Sequence, residues 1–189
     1  MRNLRALKLL ALSTVLALPL LSGPSHAQNT VTVPVNATVQ NAITMTLVDP
    51  LDYATIIAIN DGTQTATAVL DTADGLTFAT TGAPALTAAA TGTPTSGEIT
   101  VAGVVGATIN LTIQNVVDPT DGTDTLALSL FQVDVNGGGA GAQVAGVSFA
   151  HTALALDTIL FGATITTPAQ PAQIGDGAYA GSFDVIASY

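Results

Sequence analysis

Apolar residues recur at every second position along most of this chain, in short segments that end at turn-forming residues. In residues 31–39, VTVPVNATV, every odd position is apolar. Such alternation predicts strands with one buried face, because successive side chains of a strand point to opposite sides. No segment beyond the first 27 residues sustains a helical period, so we expect an all-β fold.

The alternating segments are short and evenly spaced, which predicts one sandwich or barrel domain. Within residues 125–135 the apolar face changes phase between Leu130 and Phe131, and this predicts a β-bulge. Residues 153–158 fit one helical turn. The predicted strands are residues 31–39, 43–47, 51–59, 65–70, 98–102, 107–114, 125–135, 144–149, 160–166 and 178–189, with short strands and loop over 79–97.

The first 27 residues have the pattern of a secretory signal peptide. Three basic residues precede an apolar run at 9–21, and Ser25 and Ala27 place small residues at positions −3 and −1 of a cleavage site. Cleavage after Ala27 leaves residues 28–189 as a single β-sandwich domain. We therefore expect export, with the periplasm in transit and the cell surface or extracellular space as the destination.

All three basic residues lie within the first eight positions, so the processed chain has 13 acidic residues, no Lys or Arg, and a formal charge of −13. Nucleic-acid binding and attraction to anionic lipid both need cationic side chains, which excludes these functions. The chain has no Cys for a disulfide, and no membrane span is expected after processing. Mutual repulsion is expected to raise the carboxylate pKa values on average, except where backbone N–H groups donate to a carboxylate.

Two segments resemble a known family. Residues 51–56, LDYATI, resemble the L-D-F-G-x-I element of secreted bacterial proteins in the domain-of-unknown-function 4402 family, although Tyr53-Ala54 replaces Phe-Gly. Residues 161–189 resemble the ending of that family. The same ending is similar to the last strand of chaperone–usher fimbrial subunits and spore-coat-U-like proteins, with Gly177 and Tyr189 at the matching positions. The resemblance implies an immunoglobulin-like antiparallel β-sandwich and no defined activity.

In fimbriae an N-terminal extension completes the sandwich of the next subunit by donating a strand. Residues 28–39, called here the donor segment, are the candidate for such a strand, and an ordinary first strand paired within its own chain is the alternative. Pro34 counts against insertion between two strands, because it removes one ladder hydrogen bond, but it lies on the polar face and would not disturb the apolar contacts. The residues expected to take part in strand exchange are Val31, Val33, Val35 and Val39 on the donor side, and Tyr179, Phe183, Val185 and Tyr189 on the acceptor side.

Candidate chemical sites are few. Asp118, Asp121 and Asp124 place three carboxylates beside a Gly, and hard cations such as Ca²⁺ prefer several oxygen ligands at such spacing. Solvated turn residues are the alternative. His151 has no nucleophile-elbow pattern around it and is expected to be structural. We identify no catalytic residue, no bound cofactor apart from the candidate Ca²⁺, and no enzyme activity.

These observations favour a non-enzymatic structural surface protein, a fimbrial or fibre subunit assembled by strand donation. Self-association into fibres is then expected, with a periplasmic chaperone and usher as assembly partners. The alternatives are a small outer-membrane β-barrel, whose strands also alternate, and a secreted module that binds Ca²⁺ or carbohydrate. The eight aromatic residues beyond the signal are few for the two aromatic girdles of a barrel.

Overall fold

The structure, a computed structural model, describes residues 33–37, 42–58, 65–81, 88–168 and 174–189. The chain divides into two units, Met1–Val39 and Gln40–Tyr189. Of the first unit only residues 33–37 are described, and they have no regular secondary structure, with Val33 and Val35 exposed. The predicted signal peptide and the donor positions Val31 and Val39 lie outside the described residues.

The described part of the second unit is built from strands and contains no helix. The strands are β1 (Thr44–Asp49), β2 (Thr55–Ala58), β3 (Thr65–Leu70), β4 (Leu76–Thr81), β5 (Ala88–Thr91), β6 (Gly97–Ala102), β7 (Thr108–Thr120), β8 (Ala127–Val135), β9 (Gly141–Gln143), β10 (Ser148–Thr152), β11 (Asp157–Thr166) and β12 (Ala180–Ser188). Period-two burial is clearest in β3 and β6, where buried and half-buried residues alternate throughout.

Antiparallel pairing joins the strands into two main sheets and one small pair. The first sheet has β11 at its centre, with β6 and then β3 along one edge and β8 along the other. It continues outward to β1 beyond β6, to β4 beyond β3 and to β9 beyond β8. The second sheet has the order β10-β7-β12, and β2 pairs with β5 separately.

The core lies between the two main sheets. Phe183 of β12 contacts Phe131 and Phe161 of the first sheet, with ring centroids 5.1 and 5.7 Å apart. These edge and tilted ring contacts, and the burial around them, tie the sheets together. The buried residues of the main cluster are Ile99, Val101, Ile109, Leu111, Ile113, Phe131, Val133, Ala153, Ile159, Phe161 and Ala163.

The strand order matches an immunoglobulin-like sandwich and confirms the predicted fold class. In that fold strands A-B-E-D form one sheet and C-F-G the other. Here β1-β6-β11-β8 corresponds to A-B-E-D, and β7-β12 corresponds to C-F. No strand among the described residues pairs with the outer edge of β12, which is where strand G lies in an immunoglobulin domain.

The predicted bulge is confirmed. Between Gly162 and Thr164 of β11, the partners in β8 move from Gln132 to Ser129, so β8 contains one extra residue there. Leu130, in this extra stretch, has a φ of 50° and is mostly exposed.

Several predicted strands and boundaries are wrong. Residues 33–37, predicted as part of a strand, have no regular secondary structure, and the predicted strand at 51–59 begins only at Thr55. Residues 144–149 contain a turn between β9 and β10, in which Gly146 has a φ of 81°, rather than one strand. Residues 153–158 form no helical turn, because β11 begins at Asp157. The predicted strand at 107–114 continues to Thr120, so Asp118 lies within β7.

Candidate functional site

Leu47 of β1 points toward the core but is not covered. It lies opposite Ile99 of β6, and directly opposed residues of an antiparallel pair share one face of the sheet. Ile99 is 8% exposed, whereas Leu47 is 68% exposed. A core-facing leucine with most of its surface open indicates that the sandwich is incomplete along this edge.

β12 presents a second open edge. Among the described strands it pairs with β7 alone, and its inward residues Phe183, Val185 and Ala187 pack against the core. Thr44 of β1 lies opposite Ala102, and Ser188 of β12 lies opposite Asn110 near the start of β7. β1 therefore begins at the end of the sandwich where β12 finishes, and the two strands run antiparallel.

A groove of about 1430 Å³ lies between these two edges. Its floor is apolar and includes Ile99, Leu126 and Phe161 from the core clusters. Its charged lining residues are all acidic: Asp49, Asp52, Glu98, Asp176 and Asp184. The groove therefore suits an occupant that supplies apolar side chains without adding negative charge.

Tyr53 lines the groove and has an unsatisfied hydroxyl. Among the described residues, this hydroxyl oxygen is the one buried side-chain polar atom that lacks a hydrogen-bond partner. Burial also raises the pKa of Tyr53 well above its usual range. An unpaired buried hydroxyl costs free energy, so such groups usually find a partner. No sequence pattern indicates this unpaired hydroxyl, because a hydrogen-bond partner depends on the fold.

The structure brings together three of the four predicted acceptor residues. Tyr179, Phe183 and Val185 line the groove. Tyr189 does not, because its hydroxyl accepts a hydrogen bond from the Val104 N–H at 2.9 Å, at the end of the sandwich. Leu47 was predicted as a strand residue but not as a site residue, since alternation shows which face it is on and not whether that face is covered.

The carboxylates of residues 118–124, called here the acidic loop, accept backbone hydrogen bonds. Asp118 Oδ1 accepts from Leu128 N at 2.8 Å, and Asp124 Oδ2 accepts from Gly175 N at 2.9 Å. Asp121 Oδ1 accepts the N–H groups two and three residues later, both at 2.8 Å. No group of three or more metal-ligating side chains converges within the described part of the chain, and Ca²⁺ binding stays a prediction.

The pKa of Asp121 is lowered, first by the hydrogen bond from the Asp124 N–H and then by that from Thr123. The pKa of the neighbouring Tyr179 is raised by burial and by the charges of Asp121 and Asp124. Asp121 is one of the expected exceptions to the raised carboxylate pKa values, because backbone N–H groups donate to its charged form.

His151 belongs to a network around the fully buried Asp157. Asp157 Oδ1 lies 2.8 Å from His151 Nε2 and accepts a 2.7 Å hydrogen bond from Asn136 Nδ2, while its Oδ2 accepts from Leu154 N at 3.0 Å. Burial opposes ionisation, but these hydrogen bonds together hold the pKa of Asp157 below its usual value. The network connects β8, β10 and β11, which is a structural role for His151.

Comparisons with known proteins give one match. Neither the curated proteins nor the solved structures contain a match to the chain. In the described residues, no helix is long and apolar enough to cross a bilayer. The family described as "Domain of unknown function (DUF4402)" matches residues 42–189, which covers every described strand. The chain belongs to the DUF4402 family.

Proposed function

We propose that this protein is a non-enzymatic structural subunit of a surface or extracellular fibre, in which each copy donates residues 28–39 to the groove of the next. The observation that carries the proposal is Leu47, a core-facing residue left exposed beside a groove with two unpaired strand edges. A strand inserted there would occupy the position of strand G and cover this residue.

The donor segment suits the groove in length, polarity and charge. A strand over residues 30–39 would span about 33 Å, close to the roughly 30 Å of the nine-residue β12. Its odd positions are apolar and would face the apolar floor. The first acidic residue of the chain is Asp49, so the donor segment brings no charge against the acidic lining.

Insertion would satisfy backbone and side-chain groups that the isolated sandwich leaves open. The edges of β1 and β12 would gain ladder hydrogen bonds, while each buried valine would contribute roughly 1.5–3 kcal/mol. A carbonyl of the incoming strand is the acceptor we propose for the Tyr53 hydroxyl. Val33 and Val35 are exposed, so they are free to enter a neighbouring molecule.

Export and assembly follow from the same proposal. Before a strand arrives, the exposed groove would favour nonspecific association, since open apolar edges are aggregation-prone. A periplasmic chaperone that fills the groove in transit, and an usher that exchanges it for a donor segment, are the partners we propose.

The test compares Leu47→Asp with Val48→Asp in the full chain. Val48 is also exposed but does not line the groove, so both variants add one charge and only Leu47→Asp places it in the path of the strand. Electron microscopy and size-exclusion chromatography should show fibres for wild type and Val48→Asp, and folded monomers for Leu47→Asp. Undiminished assembly of Leu47→Asp, or a wild type that stays monomeric at high concentration, would contradict the proposal.

A further inference from the structure

Exposed aliphatic side chains cluster at the end of the sandwich where β1 begins. Val105 in the turn at 103–107 is 66% exposed, and Leu156 in the loop at 153–156 is 60% exposed. The turn and the loop are joined by two backbone hydrogen bonds of 2.8 Å, from Gly106 N to Ala153 O and from Ala153 N to Ala107 O. We call this surface, formed by Val104, Val105, Leu154 and Leu156, the apolar end.

The apolar end differs from the rest of this acidic molecule. The sequence has no acidic residue between Glu98 and Asp118, nor between Asp134 and Asp157, so the turn and the loop carry no charge. The opposite end of the sandwich contains the acidic loop. Copies of the processed chain repel each other because all are negatively charged. The apolar end is a surface where two copies can meet without bringing like charges together.

Hydrogen bonds hold the apolar end in one conformation. The Val104 N–H donates to the Tyr189 hydroxyl, and the Leu154 N–H donates to the buried Asp157. A Cβ at Gly103 would lie 2.8 Å from Ile109 Cδ1, so a side chain there would have to displace the end of Ile109. A rigid surface loses less entropy on association than a mobile one.

The position of the donor segment in the sequence determines what this end meets. Thr44, the first residue of β1, lies opposite Ala102 at the apolar end. Only residues 40–43 separate the donor segment from β1, and this connection spans at most about 18 Å. The copy that accepts the donor segment must therefore lie close to the apolar end of the copy that donates it.

We infer that the apolar end is a second contact surface of the fibre, which packs against the copy that accepts the donor segment. This inference rests on the proposed function and adds a partner surface to it. Exposed contiguous aliphatic residues commonly mark protein contacts. Burying these side chains beside the inserted strand would limit rotation of one subunit against the next and slow dissociation.

The experiment compares two double variants of the full chain. Val105→Asp with Leu154→Asp adds two charges to the apolar end. Val144→Asp with Val147→Asp adds two charges at equally exposed valines in the turn between β9 and β10, where Gly146 N donates to Ile113 O partway along β7. All four positions are exposed, so both variants should fold, and circular dichroism and melting curves check this.

Two measurements separate the inference from the proposed function. Binding of a synthetic 28–39 peptide reports on the groove, and urea-induced dissociation of fibres reports on the whole contact. We expect unchanged peptide affinity for both variants. Fibres of the apolar-end variant alone should dissociate about tenfold faster than wild type, which corresponds to ~1.4 kcal/mol of lost contact energy. Dissociation at the wild-type rate, or equal acceleration in both variants, would overturn the inference while leaving strand donation intact. Absence of wild-type fibres and of peptide binding would overturn both.

Discussion

The two sides of the sandwich are completed differently. On one side, called the closed side, the chain crosses from β9 in the first sheet to β10 in the second through the four-residue turn 144–147. On the other, called the open side, β1 and β12 flank the groove, and no described segment crosses between them. A sandwich can therefore be closed by its own connectivity on one side and depend on another segment on the other.

The sharpest test of this difference uses two neighbours in one β-ladder. Ile99→Ala should lower the free energy of unfolding of the dispersed, monomeric chain by about 2–5 kcal/mol, the usual range for truncating a buried isoleucine. Leu47→Ala should cost less than about 0.5 kcal/mol, as at most surface positions, although the two residues face each other. Urea denaturation at low protein concentration measures both.

Adding the 28–39 peptide should change the comparison. The cost of Leu47→Ala should rise once the peptide covers this residue, while that of Ile99→Ala should stay constant. An equal cost for the two variants without peptide would mean that Leu47 is already covered, and the open side would not exist.

The same pair shows how much of the site could be predicted. Alternation predicts that Leu47 and Ile99 both face inward, and the phase change at Leu130 predicts the bulge. Burial depends on what lies across the core, which alternation does not contain. The role of Tyr189 was missed for a similar reason, since its partner Val104 is 85 positions away in sequence.

The Asp157 network tests the closed side. Its partners Asn136 and His151 lie just after β8 and on β10, so the carboxylate ties the strands of that side to β11. Asp157→Asn should cost about 1–3 kcal/mol at pH 7, the penalty for disrupting buried hydrogen bonds. Peptide affinity on the open side should be unchanged, and denaturation together with peptide titration measures both effects.

The pH dependence of this variant has a defined sign. The pKa of Asp157 is lowered in the folded state, so its ionisation stabilises the fold above the unfolded pKa of about 3.9. This stabilisation is lost as the pH falls through the folded pKa. Wild-type melting temperature should therefore fall below about pH 4, and less steeply in Asp157→Asn. Asp176→Asn, which removes an exposed charge, controls for overall charge. Identical slopes for wild type and Asp157→Asn would contradict the role of this carboxylate.

The smallest expected effect concerns two tyrosines of the open side. Tyr53 has a buried hydroxyl without a partner, whereas the Tyr179 hydroxyl donates to Gly175 O at 2.8 Å. Tyr179→Phe should therefore destabilise the monomeric chain by about 0.5–1.5 kcal/mol, and it should change peptide affinity less than Tyr53→Phe does, because its hydroxyl is already paired. Tyr53→Phe should leave the dispersed chain as stable as wild type or slightly more stable, because it removes an unsatisfied polar group.

Peptide binding should reverse that order. If a carbonyl of the donor segment accepts a hydrogen bond from the Tyr53 hydroxyl, Tyr53→Phe should weaken binding of the 28–39 peptide by roughly 0.5–1.5 kcal/mol. This corresponds to about a 2- to 12-fold increase in Kd. Fluorescence anisotropy of a labelled peptide resolves this range. Equal affinity for wild type and Tyr53→Phe would show that the inserted strand does not reach this hydroxyl, and that the apolar floor and the strand edges supply the binding energy without it.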